Sequence, residues 1–135
     1  MRYYIGLGTN LGDKESNIRQ ALERMTEIGS VIRRSGNFYS EPWGFTSPNS
    51  FLNIVFAFET EKDPFELLAY TQQVEKEMGR QAKSLNGIYS DRIIDIDILM
   101  YDGEDIHTDT LQIPHPLIWQ RDFVKIPLQE LLDSI

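Results

Sequence analysis

Apolar and polar positions along the chain follow two periods, and these predict an alternation of strands and helices. Arg2 to Leu7 reads as a strand, and Gly8 to Asp13 as a turn rich in glycine, asparagine and aspartate. Beyond it Ile18, Ala21, Leu22, Met25 and Ile28 recur at helical spacing, and Gly29 suits the end of that helix. Val31 to Tyr39 predicts a second strand. Glu41 to Ser50 holds Pro42, Gly44 and Pro48, which marks a loop. Phe51 to Thr60 is nearly all apolar, as a central strand should be. Asp63, Pro64 and Glu66 then sit where a helix start asks for an N-cap, a proline and a third-position acid. That helix runs to about Met78, and Gly79 ends it.

Arg80 to Asp91 is a polar loop with an Asn86-Gly87 turn signal. A strand spans Asp91 to Tyr101, Leu111 to Pro116 is extended, and a short helix covers Gln129 to Leu132. The order β-α-β-β-α-β predicts a single α+β domain over 1–135, ferredoxin-like, with an antiparallel sheet flanked by helices. The last main strand is expected at an inner position of that sheet.

Chemistry gathers on that last strand. Ile94, Ile96, Ile98 and Met100 are expected to share one face. Asp95 and Asp97 then share the other, their Cα atoms roughly 6–7 Å apart. Carboxylates so close repel by about 1 kcal/mol in water and several times more in a partly dry site. A wet sheet face would merely tolerate the pair. A divalent cation would remove the repulsion, and Mg²⁺ is commonly held by one or two carboxylates plus substrate phosphates. Arg92 just ahead, with Arg80 and Lys83 in the loop before it, favours a metal-phosphate site.

Other residues carry two readings each. Asn53, inside the apolar strand, needs partners from backbone or from a ligand. Trp43 and Phe45 either tuck into the core or wall a planar ligand. Gln72 and Glu75 lie three apart, which on spacing alone is a solvated helix face. His115, between Pro114 and Pro116, is either a packed ring or a donor to phosphate. Gly6, Gly8 and Gly12 fit neither common nucleotide-loop spacing and read as a structural turn.

Composition narrows the classes. Hydrophobic residues make up 41% and charged residues 25% of the 135, as in a folded globular domain. The net charge of −8 disfavours a general nucleic-acid or anionic-membrane binder, so a polyanionic ligand would need local arginine and lysine. Without cysteine there is no disulfide framework and no thiolate metal site. The apolar start is too short for a signal peptide, and no run reaches the ~18 apolar residues of a membrane span. These features predict a cytoplasmic monomer.

The motifs taken together resemble the 6-hydroxymethyl-7,8-dihydropterin pyrophosphokinase family of folate synthesis. They are Gly8-Thr9-Asn10-Leu11-Gly12, Phe38-Tyr39-Ser40-Glu41-Pro42, Phe51-Leu52-Asn53, Gln72-Gln73-Val74-Glu75, Asp91 to Ile98, Pro114-His115 and Arg121-Asp122-Phe123. The resemblance implies Mg²⁺-dependent transfer of the terminal diphosphate of ATP to the pterin hydroxymethyl group, giving AMP. By that likeness Asp95 and Asp97 would hold two Mg²⁺, and Arg80 and Arg92 would clamp the transferring phosphates. Gln72, Glu75, Lys83, Ile98, His115 and Arg121 would surround ATP. Phe51 and Phe123 would sandwich the pterin, which Asn53 would read, with Glu41, Pro42 and Trp43 completing the pocket. The family's basic loop often ends Arg-Trp-Gly-Pro-Arg, where this chain has Ile88-Tyr89-Ser90-Asp91-Arg92. A non-catalytic ferredoxin-like module would explain the topology but not the acids and loop cations together. A metal phosphohydrolase would need further His/Asp metal spacing, which the sequence lacks.

Overall fold

Two apolar strands make the centre of the molecule. β1 (Arg2–Thr9) alternates half-buried and buried positions, while β4 (Phe51–Thr60) is buried everywhere but Glu59. They pair antiparallel, from Arg2 opposite Glu59 to Thr9 opposite Leu52. On the far side of β4 lie β2 (Gly29–Arg34) and β3 (Phe38–Ser40), and on the far side of β1 lies β5 (Asp95–Tyr101). The sheet order is β2-β4-β1-β5, with β3 also beside β4 and every pairing antiparallel. This computed structural model describes residues 1–41, 49–79, 93–116 and 118–133. Pro42, Trp43, Phe45, Arg80, Lys83, Arg92 and the Asn86-Gly87 turn lie outside the described residues.

One face of the sheet carries Tyr3, Ile5, Leu7, Leu52, Ile54, Phe56, Phe58, Ile94, Ile96 and Ile98. Against it pack α1 (Lys14–Met25), through Ile18, Ala21 and Met25, and α2 (Pro64–Glu77), through Leu67 and Val74. Both helices begin as the sequence predicts. The Asp13 carboxylate accepts from Ser16 N–H, and Asp63 and Glu66 form a reciprocal capping box. The opposite face carries Val55, Ala57 and Leu99 under α3 (Asp122–Asp133), which contributes Val124, Leu128 and Leu131. A small separate ladder joins β6 (Ile106–His107) to β7 (Gln112–Ile113). The arrangement is α+β and ferredoxin-like.

Four expectations are corrected. β5 is an edge strand, not an inner one, because among the described residues it pairs with β1 on one side and with no strand on the other. Asp95 and Asp97 therefore sit beside an open sheet edge rather than mid-sheet. The strand expected over Val31 to Tyr39 is two strands, with a bulge at Ile32 and a break at Ser35. Ser35 is buried, and its hydroxyl accepts from Val55 N–H at 3.0 Å where a ladder bond would stand. The short helix expected from Gln129 begins at Asp122 and runs through Pro127. Proline inside a helix is normally disfavoured, but Val124, Pro127, Leu128 and Leu131 form one buried stripe that holds the helix together. Met100 does not share the face of Ile94, Ile96 and Ile98. Tyr4 pairs with Met100 and Ile5 with Ile98, so Leu99 is an extra residue that moves Met100 to the α3 side.

Candidate active site

Strand alternation and the register of β1 build the site. Asp95 is opposite Gly8 and Asp97 opposite Gly6. Across the other side of β1, Gly8 is opposite Asn53 and Gly6 opposite Val55. All six positions look toward α3. The two glycines leave the middle of this surface bare, forming a trough between β4 and β5. A Cβ on Gly8 would lie 3.1 Å from Asn53 Oδ1, and one on Gly6 would lie 3.4 Å from Leu99 Cδ1. Asp95 and Asp97 are half-buried at one side of the trough.

The same trough is lined by Phe51 from the sheet and by Arg121, Phe123 and Val124 around the start of α3. Arg121 is only 7% exposed, and its guanidinium carbon stands 5.6 Å from the centre of the Phe123 ring. Asn53 is 3% exposed. Its Nδ2 donates to Phe38 O at 3.2 Å and to Ser40 Oγ at 2.8 Å. The Phe38 carbonyl can only accept, which fixes the amide orientation. Protein partners thus hold the amide nitrogen, and Oδ1 is the atom beside Gly8.

A second cleft lies along the open edge of β5, lined by Leu68, Ile96, Asp97, Ile98, Asp109, Thr110, Leu111, Gln112, His115 and Pro116. Asp97 borders both clefts. Two protein groups grip this edge. The Glu75 carboxylate accepts from Ile96 N–H at 2.7 Å, and Leu99 O accepts from His115 N–H at 2.9 Å. Because alternate residues of a strand point their polar backbone groups the same way, Ile98 directs its own to the open edge as Ile96 does. His115 is half-buried, its ring at the wall of the cleft.

Residues 4–133 match the model of the 7,8-dihydro-6-hydroxymethylpterin-pyrophosphokinase family. The chain belongs to that family. The 2-amino-4-hydroxy-6-hydroxymethyldihydropteridine pyrophosphokinase of Porphyromonas gingivalis is 45% identical over 130 residues, covering 95% of this chain and 88% of its own. The enzyme of the same name from Aquifex aeolicus is 42% identical over 132 residues, covering 98% and 81%. A solved HPPK-DHPS in complex with substrates shares the fold at a TM-score of 0.76. Its identity is 14%, and the match covers 97% of this chain and 40% of that one.

Within this pyrophosphokinase the structure gathers Phe51, Asn53, Asp95, Asp97, Arg121 and Phe123 at one cleft, and Asp97, Ile98 and His115 at the other. It does not bring every sequence candidate there. Gln72 is exposed on α2 and lines neither cleft, and Glu41 is exposed just past β3. Glu75 is not on a solvated face; it is 3% exposed and bonded to β5. Gly6 and Gly8 were missed as floor residues. Gly6 carried a signal, a glycine inside a strand where it is disfavoured without a close approach, whereas Gly8, expected at the start of the turn, lies in a β1 that runs on to Thr9.

Among the described residues, no group of three or more His, Cys, Asp or Glu is arranged to hold a metal. The donors are two carboxylates on one strand face. That set suits Mg²⁺, which keeps several waters and takes phosphate oxygens from substrate, better than it suits a closed protein cage.

Proposed function

We propose that this chain transfers the terminal diphosphate of ATP to the hydroxymethyl group of 6-hydroxymethyl-7,8-dihydropterin, releasing AMP in folate synthesis. The single observation that carries this reading is the place of Asp97, which borders both a flat aromatic-lined trough and a cleft on a sheet edge. A two-substrate transfer needs its charge-handling groups where the substrates meet.

The pterin occupies the trough, its ring between Phe51 and Phe123 and its N–H edge against Asn53 Oδ1. Flat rings favour such offset stacking. Adenine lies along the β5 edge, where Ile98 backbone groups and the Leu68 and Leu111 side chains suit a flat heterocycle with a donor-acceptor edge. The triphosphate then runs past His115 and Asp97 toward Arg121, with Arg80, Lys83 and Arg92 as further cations. The hydroxymethyl oxygen attacks the β-phosphorus and gives up its proton to water, the bond from that phosphorus to the oxygen bridging it to the α-phosphate breaks, and AMP leaves with the bridging oxygen. Asp95 and Asp97 would hold the two Mg²⁺, which would supply charge neutralisation to the phosphates. Orientation and water exclusion fall to the protein. Both clefts are built by one chain, which supports a monomer as the working unit. ATP as a substrate supports a cytoplasmic setting.

The test is product identity. Protein, ATP, Mg²⁺ and the hydroxymethyl-dihydropterin should yield AMP and the pterin diphosphate. Formation of ADP, or no turnover by well-folded protein, would overturn the proposal.

A further inference from the structure

A carboxylate buried to 3% exposure is costly to place unless hydrogen bonds hold it. Glu75 reaches from α2 to Ile96 N–H at 2.7 Å. Ile96 is the residue between Asp95 and Asp97. Its N–H points away from β1, on the side of β5 that no strand among the described residues pairs with. Water could satisfy that donor but would not fix its position. Glu75 can, because α2 is itself anchored by its capping box and by fully buried Leu67 and Val74.

We propose that Glu75 is a positioning residue. By gripping Ile96 N–H it sets the direction and separation of the Asp95 and Asp97 carboxylates, without itself touching nucleotide or metal. This inference rests on the function proposed above for the diacid. Side chains that orient metal-binding carboxylates through a hydrogen bond commonly matter nearly as much as the ligands. A charge-assisted bond is short and directional, which suits that role. The grip on Ile96 and the His115 bond to Leu99 O also bracket Ile98, so the strand edge between them is held at both ends.

Three variants separate geometry from charge. Glu75→Gln keeps an acceptor at the same reach and removes the charge. Glu75→Asp keeps the charge and falls short by one methylene, and Glu75→Ala removes both. In ligand-free protein, hydrogen exchange at the Ile96 amide should be at least about tenfold faster in Glu75→Ala and Glu75→Asp than in wild type. It should stay near wild type in Glu75→Gln. Turnover should fall about 10–100-fold in Glu75→Ala and Glu75→Asp, with the pterin KM within about twofold. Calorimetric binding of a non-hydrolysable ATP analogue should need more Mg²⁺ in both. Glu75→Gln should restore turnover and Mg²⁺ dependence.

Unchanged Ile96 exchange in Glu75→Asp would overturn the inference, as would fast exchange with full turnover. Glu75→Gln as impaired as Glu75→Asp would overturn it too, because charge and not position would then be the cause. Should Glu75→Ala lose its fold, the Gln and Asp pair carries the test. Absence of AMP from wild-type protein would instead strike the proposed function, a separate outcome.

Discussion

Asp95 lies directly opposite Gly8, and Gly8 in turn lies directly opposite Asn53. A residue without a side chain therefore separates the acid pair from the amide, at a distance of about two strand spacings, roughly 9–10 Å. That gap is the width of a fused bicyclic ring and its substituent. Filling it should be felt by one substrate and not the other.

Gly8→Ala puts a methyl 3.1 Å from Asn53 Oδ1, where no substrate donor could then approach freely. Its backbone is not in the left-handed region, so the fold should tolerate alanine. The expected result is a pterin affinity lower by about tenfold or more, on the order of 1.4 kcal/mol. Binding of an ATP analogue should be within about twofold of wild type. Calorimetry with each ligand alone checks both.

Asp97→Ala removes the one carboxylate that borders both clefts. Turnover should fall by at least about a hundredfold, because charge stabilisation by a bound metal is worth several kcal/mol. Chelating Mg²⁺ from wild-type protein should halt AMP formation, and added Mg²⁺ should restore it. An AMP assay suffices.

Leu128, on the sheet-facing side of α3, is fully buried. Leu128→Ala should destabilise the protein by about 2–5 kcal/mol, measured by denaturant unfolding. The same helix begins beside Arg121 and Phe123, so pterin binding should weaken in this variant more than ATP binding does.

At the start of α2, backbone N–H groups of Glu66 and Phe65 hold the Asp63 carboxyl below its ordinary value of 3.8. A depressed folded-state value means that the charge stabilises the fold above 3.8 and that this contribution is lost as pH falls through the lower folded value. Asp63→Asn keeps a capping group without the charge. Wild type should melt above Asp63→Asn near neutral pH, and the gap should close as the pH is taken below 3.8.

Much of the fold was legible in local patterns. The Asp63-Pro64-Phe65-Glu66 start of α2 and the apolar run of β4 say what they are without tertiary context. The facing of Asp95 and Asp97 to one side was equally plain, since it needs only strand geometry. The place of β5 in the sheet was not, because alternation along one strand says nothing about which neighbours it has. Ser35 and Leu99 were opaque for a related reason: a break or bulge is decided by the partner strand. Glu75 shows the limit most clearly. Spacing along α2 put it beside Gln72, yet Glu75 is buried and Gln72 exposed, and the Ile96 N–H that Glu75 meets on β5 is not visible in any spacing along α2.

The extra residue at Leu99 divides β5 into two stretches that answer to different demands. Upstream, the phase of the strand is locked by Gly8 and Gly6 facing the acids. Downstream, it is locked by Tyr101 stacked on Tyr3 at 5.4 Å between ring centres. A one-residue deletion at Leu99 would leave a regular ladder, with Met100 still opposite Tyr4 and Tyr101 still opposite Tyr3, while the acids kept their outlook. Length variation in this strand is thus absorbed on the scaffold side, and the reactive side is insulated from it.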